Sequence, residues 1–466
     1  MKKLLALALV LMMTLSLCAC APVKDVLEDV LPGETVQPPQ ETVEKPEEEE
    51  AAGGANHRCP DEPASDAPVF GNMPSNIAAG GHVAMSSDGQ LFWAQSEGYS
   101  YGAEETGMET GIFARVGDGY EKISDDDAGD LNVSHDRLYY VAQTWNGDEG
   151  TSEIVSIKFD GSDRKVIAEK TPIKWDMRIS DDDDHAEYTH FGGYSDLILY
   201  RGKLYFIGDN GKPGGQDIHS YYMDKTYSTI WHNGKSLYRT DLDGGNKTVI
   251  VENLGNGAAH FTIGDGKIWY TTCYDAGSTV YPHFTLNSCE MDGSNAQLLY
   301  GTTDTVASDV KQDIIGGIFY AEGYLFVSAS DSEGDFPHGR LMAYKDGYYE
   351  FWGDETYYVN YAYDGAGGLY SLFSPTNYTV YEEDTGVEYI EDAQLLRNDM
   401  YAINSGEAAG TSKILHEFGR VDRWTDEFSR FELSTFDDGR LLTLLTKDAL
   451  YTLDLENGTP LEKIVK

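Results

Sequence analysis

The densest chemistry in this chain is carboxylate: 79 Asp and Glu stand against 34 Lys and Arg, a formal charge of -45. The acids crowd most closely in Asp181-Asp182-Asp183-Asp184-His185, with Glu187 and His190 just behind, and again in Asp125-Asp126-Asp127. Carboxylates set side by side repel unless a cation or basic partner lies among them, and clustered oxygen ligands suit calcium. Asp181, Asp182, Asp183 and Asp184 are therefore the candidate calcium ligands. Their spacing lacks the alternation and closing Glu of an EF-hand loop, so a merely solvated acidic loop is the competing reading. No other cofactor is called for. Nucleic acid is excluded as a partner, because both it and anionic membrane surfaces are held through basic patches.

Aromatic rings form the second resource. Tyr99 and Tyr101, Trp145, Tyr221 and Tyr222 with Trp231, and Tyr281 lie in Gly- and Ser-containing stretches between the apolar runs. Exposed rings offer contact area with little side-chain entropy to lose, which suits a peptide, a glycan or a protein surface. Rings packed under their own loops are the alternative. No His-Glu-x-x-His helix and no paired Cys-x-x-Cys sets occur, and Lys413 does not follow Gly410 directly as a phosphate loop requires. No catalytic residue is assigned, and the pattern points to binding rather than catalysis. Carboxylate pairs distant in sequence leave a hydrolase or lyase acting on a glycan or peptide as the second reading, with a structural accessory role as the third.

Cysteine sets the compartment. Met1-Lys2-Lys3 and the apolar run Leu4 to Leu17 have the form of an export signal, shorter than the ~20 residues that span a bilayer. Leu17-Cys18-Ala19-Cys20 resembles a lipobox, which places cleavage after residue 19 and a lipid on Cys20; Cys18 fits badly because bulky Leu17 precedes it. Residues 1–19 then read as a signal peptide, and residues 20–68, rich in Pro and Glu, as a disordered acidic tether. A coil of that length holds its cargo roughly 40 Å from the membrane. Cys273 and Cys289 flank an expected hairpin loop in an oxidising compartment and predict a local disulfide, with two reduced thiols as the alternative; Cys59 has no obvious partner.

From residue 69 to 466 the elements must be strands: short aromatic and β-branched runs separated by Gly, Asp and Asn. They repeat. One phrase is Lys203-Leu204-Tyr205-Phe206 or Lys267-Ile268-Trp269-Tyr270; the other is a hairpin around Asp160-Gly161, Asp243-Gly244 or Asp292-Gly293. Four strands per unit predict an all-β fold, a β-propeller of seven or eight four-stranded blades. Unit starts near His82, Leu131, Asp196, His260, Ile315, Tyr361, Gln394 and Phe431 favour eight, the sixth and seventh being short. With strands a to d running outward from the axis, every long insertion is expected in the b–c and d–a connections of one face, the Asp181–Asp184 stretch in a d–a loop.

Ile268-Trp269-Tyr270-Thr271-Thr272 and Leu242-Asp243-Gly244-Gly245-Asn246 resemble the YWTD-type repeats of low-density-lipoprotein-receptor propellers. Asn76-Ile77-Ala78-Ala79-Gly80-Gly81-His82-Val83-Ala84 resembles the start of a bacterial family of such propellers, of unknown function and common in exported Gram-positive proteins. That resemblance implies a propeller and a binding role, and brings no catalytic residues. The expectation is a monomeric lipoprotein on the extracytoplasmic face of a Gram-positive cell membrane. Its long-loop face would engage a peptide, glycan or envelope protein.

Overall fold

Alternating aromatic and β-branched residues favour a pleated surface buried on both sides, and the runs that carry them become strands. The computed structural model describes residues 69–466 except 96–109, 147–148, 180–185, 214–218, 223–224, 229–232, 256–258, 275–282, 302–313, 331–338, 346–347, 357–360, 366, 374–378, 383–386, 400–412, 423–430, 437–438, 447–448, 459 and 465–466. The chain divides at Ala52/Gly53, and all described residues belong to the second unit.

Seven antiparallel sheets, each a continuous stretch of chain, form seven blades. Blade 1 is Val83–Met85, Leu91–Gln95, Gly111–Val116 and Gly119–Ser124; blade 2 is Asp127–Ser134, Arg137–Asn146, Glu149–Lys158 and Lys165–Ile179, with Ala186–Gly192 added outside. Blade 3 comprises Ser195–Tyr200, Lys203–Pro213, Asn233–Asp241 and Thr248–Val251, with a small hairpin, His219–Tyr222 and Lys225–Ser228, in its b–c connection. Blade 4 is Phe261–Gly264, Lys267–Tyr274, His283–Glu290 and Gln297–Gly301, and blade 5 is Ile314–Ala321, Tyr324–Ser330, Gly339–Lys345 and Tyr348–Thr356. Blade 6 is Tyr361–Tyr363, Gly368–Phe373, Val387–Asp399 and Lys413–Asp422, with Thr379–Glu382 on the first half of strand c; blade 7 is Phe431–Phe436, Leu441–Thr446, Leu450–Asp454 and Glu462–Ile464.

The eight-unit count is thereby corrected to seven. Gln394 lies inside strand c of blade 6, opposite Phe373 of strand b, so the two short units are halves of one blade. Two further expectations change. Asp181–Asp184 falls not in a d–a loop but between strand d of blade 2 and its fifth strand. The 13 residues between Asp399 and Lys413 join strands c and d of blade 6, so one long insertion lies on the face opposite the b–c loops.

The hairpin glycines show how sequence becomes ring. Gly161, Gly244 and Gly293 sit at φ 78°, 84° and 85°, a region open to glycine. A Cβ there would stand 2.0 Å from the carbonyl of Ile123, 2.5 Å from that of Ile167 and 2.2 Å from that of Ile250, each on strand d of the preceding blade. The turn phrase thus docks each c–d hairpin onto its neighbour.

Between adjacent blades lie apolar layers, such as Phe92, Ile112, Leu131 and Tyr140 between blades 1 and 2, or Leu197, Leu199, Phe206 and Ile154 between 2 and 3. Burying each such side chain contributes about 2 kcal/mol. Blades 7 and 1 close the ring the same way, through Leu445, Leu450 and Ile464 against Val83, Trp93 and Phe113. No strand is shared between them.

What closes the ring besides that layer is an axial pin. The chain enters beside the a–b turn of blade 3, where Arg201 donates to the Val69 carbonyl and Phe70 bridges Tyr200. Gly71 then bonds Leu199 and Val133, and Asn72 donates to the carbonyls of Val83 and Leu131, both at 2.8 Å. A five-residue helix, α1 (Pro74–Ala78), follows against the inner strands of blades 3, 5, 6 and 7. Buried Asn76 exchanges bonds with the Thr435 backbone of blade 7, both 3.0 Å. The segment climbs the channel and emerges at Gly80 on the opposite face before strand a of blade 1 turns back down.

Candidate functional site: the axial mouth

Inner strands expose one backbone edge to the channel, and its N–H groups need acceptors. Three carboxylates supply them from one blade to the next, and they belong to a repeated position, a polar residue just before a buried apolar residue of strand a: His82-Val83, Asp130-Leu131, Asp196-Leu197, His260-Phe261, Glu432-Leu433. Asp130 accepts from the Leu197 N–H at 3.0 Å, Asp196 from the Phe261 N–H at 3.0 Å, and Glu432 from the His82 N–H at 2.8 Å. Bulges re-aim strand a in blades 2 and 3, and Asp130 and Asp196 take φ 54° and 52°, uncommon for residues with a Cβ but tolerated best among them by Asn and Asp.

The acids also hold imidazoles. Glu432 Oε2 lies 2.6 Å from His82 Nδ1, and Asp196 Oδ2 lies 3.1 Å from His260 Nδ1. A proton on Nδ1 directed at a carboxylate leaves Nε2 of a neutral imidazole as an acceptor; His82 Nε2 lies beside Gly129, 3.7 Å from where a Cβ would stand. Burial opposes charge on His82, yet Glu432, then Asp130 and Asp127, raise its pKa. The Asp130 carboxyl is pushed up to about 7, first by burial and then by Asp196, against the pull of the Leu197 N–H and His82.

His82, Asp130, Asp196 and His260 line a cavity of about 410 Å³, floored by Ile77 to Gly80 of the pin and walled by Val141, Tyr194, Phe261 and Ile318. That volume fits a small molecule or the end of a chain. Strand a runs away from the d–a connections, and the site residues occupy its first half, so the cavity opens on the face of the b–c loops. Chemically the mouth can move a proton through His82 and Glu432 and hold a hydrogen-bond donor. Among the described residues, no group of three His, Cys, Asp or Glu is arranged to hold a metal ion.

The residues singled out from sequence fare differently. Tyr99, Tyr101, Trp231, Tyr281 and Asp181, Asp182, Asp183 and Asp184 lie outside the described residues, as do the side chains of Tyr221 and Tyr222, which pair with Thr226 and Lys225 in the blade 3 hairpin. Trp145 is described: its ring covers Gly150 across its own hairpin, 2.4 Å from where a Cβ would be. That is the packed alternative. The Cys273–Cys289 disulfide is corrected: Cys289 is a free, buried thiol. It stands opposite Ile268 while Cys273 stands opposite Phe284, five rungs or about 16 Å along the ladder. Gly98-Tyr99-Ser100-Tyr101-Gly102 has the spacing of a nucleophile elbow. It links two antiparallel strands of blade 1 rather than a strand and a helix, and it too lies outside the described residues. Of the mouth residues, the repeats mark His82, Asp196 and His260 only as unit starts and Asp130 and Glu432 not at all; aligning the repeats in register, so that a polar residue recurs at one phase, is the signal that finds them.

Neither a family model nor a curated protein matches the chain. Among solved structures it is similar to an acylaminoacyl peptidase from Pyrococcus horikoshii (12% identity, TM-score 0.42, covering 73% of this chain and 46% of that one). It is similar also to a puromycin hydrolase (13%, TM-score 0.42, 85% and 56%) and to TolB from Acinetobacter baumannii (10%, TM-score 0.29, 69% and 78%). The chain spans about half the length of the two hydrolases. Likeness at this level concerns the fold, and the propeller rests on the chain's own seven-blade topology.

Proposed function

We infer that the protein is an extracytoplasmic binding and interaction protein, anchored to the cell membrane by a lipid on Cys20. In this reading residues 20–68 are its tether, and the b–c loop face engages a peptide, a glycan or an envelope protein. One observation carries the reading: a polar cavity lined by His82, Asp130, Asp196 and His260 opens on the b–c face, where a ligand can reach it. The resemblance to YWTD-type repeats and the lipobox-like Leu17 to Cys20 support it further.

Replacing residues 214–232 by a short Gly-Ser linker removes the longest described b–c insertion while leaving the ladder between Lys203–Pro213 and Asn233–Asp241. Retention on immobilised cell-wall fragments and envelope extract should fall at least tenfold, with β-sheet circular dichroism unchanged; equal retention refutes use of this face. Palmitate-analogue labelling should be lost in Cys20→Ala and kept in Cys18→Ala, and the reverse pattern moves the anchor. A second reading, an envelope hydrolase or lyase, is favoured by the Glu432–His82 pair at the mouth. Cell-wall fragments incubated with the protein should then yield products that His82→Gln abolishes, and no product in either sample counts against it.

A further inference from the structure

We propose that the axial cavity recognises an organic ammonium group, paired with Asp130 and received by the carbonyl oxygens at the end of α1. This rests on the reading of the mouth as a binding face and names what enters it. Three observations converge. Of the carboxylates, Glu432 gives both oxygens to His82, and Asp196 gives both to His260 and the Phe261 N–H. Asp130 uses Oδ2 on Leu197, leaving Oδ1 as the one cavity carboxylate oxygen with no hydrogen bond among the described residues.

The second is the pin. Ala78, Ala79 and Gly80 line the cavity, and their carbonyls accept no hydrogen bond from the described residues, whereas Met73 to Ile77 supply the carbonyls that close α1 and its cap. Ala78 O stands 2.6 Å from the place of a Cβ on Gly317, so the side of blade 5 that meets it is a glycine. Orphan carbonyls at a helix end require donors.

The third is the sign and shape of the space. No Lys or Arg lines it, and Asp130 Oδ1 and the carbonyls of Ala78 to Gly80 are the acceptors it leaves open among the described residues. A mouth made of acceptors takes a donor, and a carboxyl crowded by Asp196 gains most from a cation. A bare metal ion would use a small part of about 410 Å³ and none of the walls of Phe261, Ile318 and Tyr194. An ammonium carried on an apolar or ring-bearing body uses both, as at a peptide N-terminus or an amino sugar.

Isothermal titration calorimetry on the whole chain in detergent at pH 7 tests this with Ala-Phe-amide, N-acetyl-Ala-Phe-amide, glucosamine, N-acetylglucosamine and calcium chloride. At least one free amine should bind, acetylation should weaken it tenfold or more, and Asp130→Asn should do the same. Two buffers of different ionisation enthalpy should show proton release on binding to the native chain and none in Asp130→Asn. Which amine binds separates peptide from amino sugar. Equal binding of acetylated and free probes, binding of calcium alone, or no binding at all overturns the proposal, and the acetylation comparison needs no variant. Envelope binding lost with residues 214–232 would still stand in that event, so the two readings fail separately.

Discussion

Replacing Asp130 by asparagine should make the protein more stable, and increasingly so as pH rises. The Asp130 carboxyl titrates at about 7 in the fold against 3.8 when free, so between those values the folded state binds a proton that the unfolded state has lost. Stability then falls as pH rises, at about 1.4 kcal/mol per pH unit, reaching about 4 kcal/mol by pH 7 and flattening above it. The substituted side-chain amide would keep an acceptor for the Leu197 N–H, tolerate φ 54° and remove the charge that Asp196 and Glu432 oppose. His82 acts in the same direction: its raised pKa gives stability that is full below 6.5 and lost as pH rises through the folded value, mainly through Glu432, which Asp130→Asn leaves in place. Urea melts of both proteins at pH 5, 6, 7 and 8 isolate Asp130 as the difference between them. That difference should widen from pH 5 to 7 and then level. A difference independent of pH, or one that narrows, refutes the idea that Asp130 is held against its charge by burial and Asp196.

Asn76→Ala should cost roughly 3 kcal/mol, because it removes the side-chain partner of both the Thr435 N–H and the Thr435 carbonyl in the channel; a loss under about 1 kcal/mol by chemical melt means the pin does not hold the ring. Cys289, buried and with its thiol pushed up to about 11 by burial and then Asp292, should resist maleimide until the protein unfolds and form no disulfide by non-reducing mass spectrometry. Gly293→Val should destabilise by about 2 kcal/mol or more, since φ 85° and the Ile250 carbonyl both exclude a side chain, and an unchanged thermal midpoint would contradict the docking role of that turn.

The strand phrases were legible because burial on both faces of every sheet imposes them residue by residue: Leu204-Tyr205-Phe206 alternates between the layer toward blade 2 and the layer toward blade 4. Blade number was less so. Blade 6 has an extra strand at Thr379–Glu382 and a 13-residue c–d link, which stretch one unit until it reads as two. The disulfide failed for a reason of register, since flanking a hairpin loop does not put two residues on the same rung. The site was least legible, because its residues lie 48 or more positions apart and meet only when the ring closes: Glu432 and His82 are separated by 350 residues. Composition drew attention to loops dense in acid and aromatic residues, whereas the mouth uses single polar residues on strands.

Ring closure and the site are one construction. Among the described residues blades 1 and 7 share an apolar layer but no ladder, and polar links to blade 7 run from Asn76 to Thr435 and from His82 to Glu432. The first belongs to the pin and the second to the cavity, four residues beyond α1 (Pro74–Ala78). The short segment from Val69 to His82 thus bonds the inner strands, supplies the floor of the cavity and only then begins the first blade, so one stretch of chain serves both closure and site.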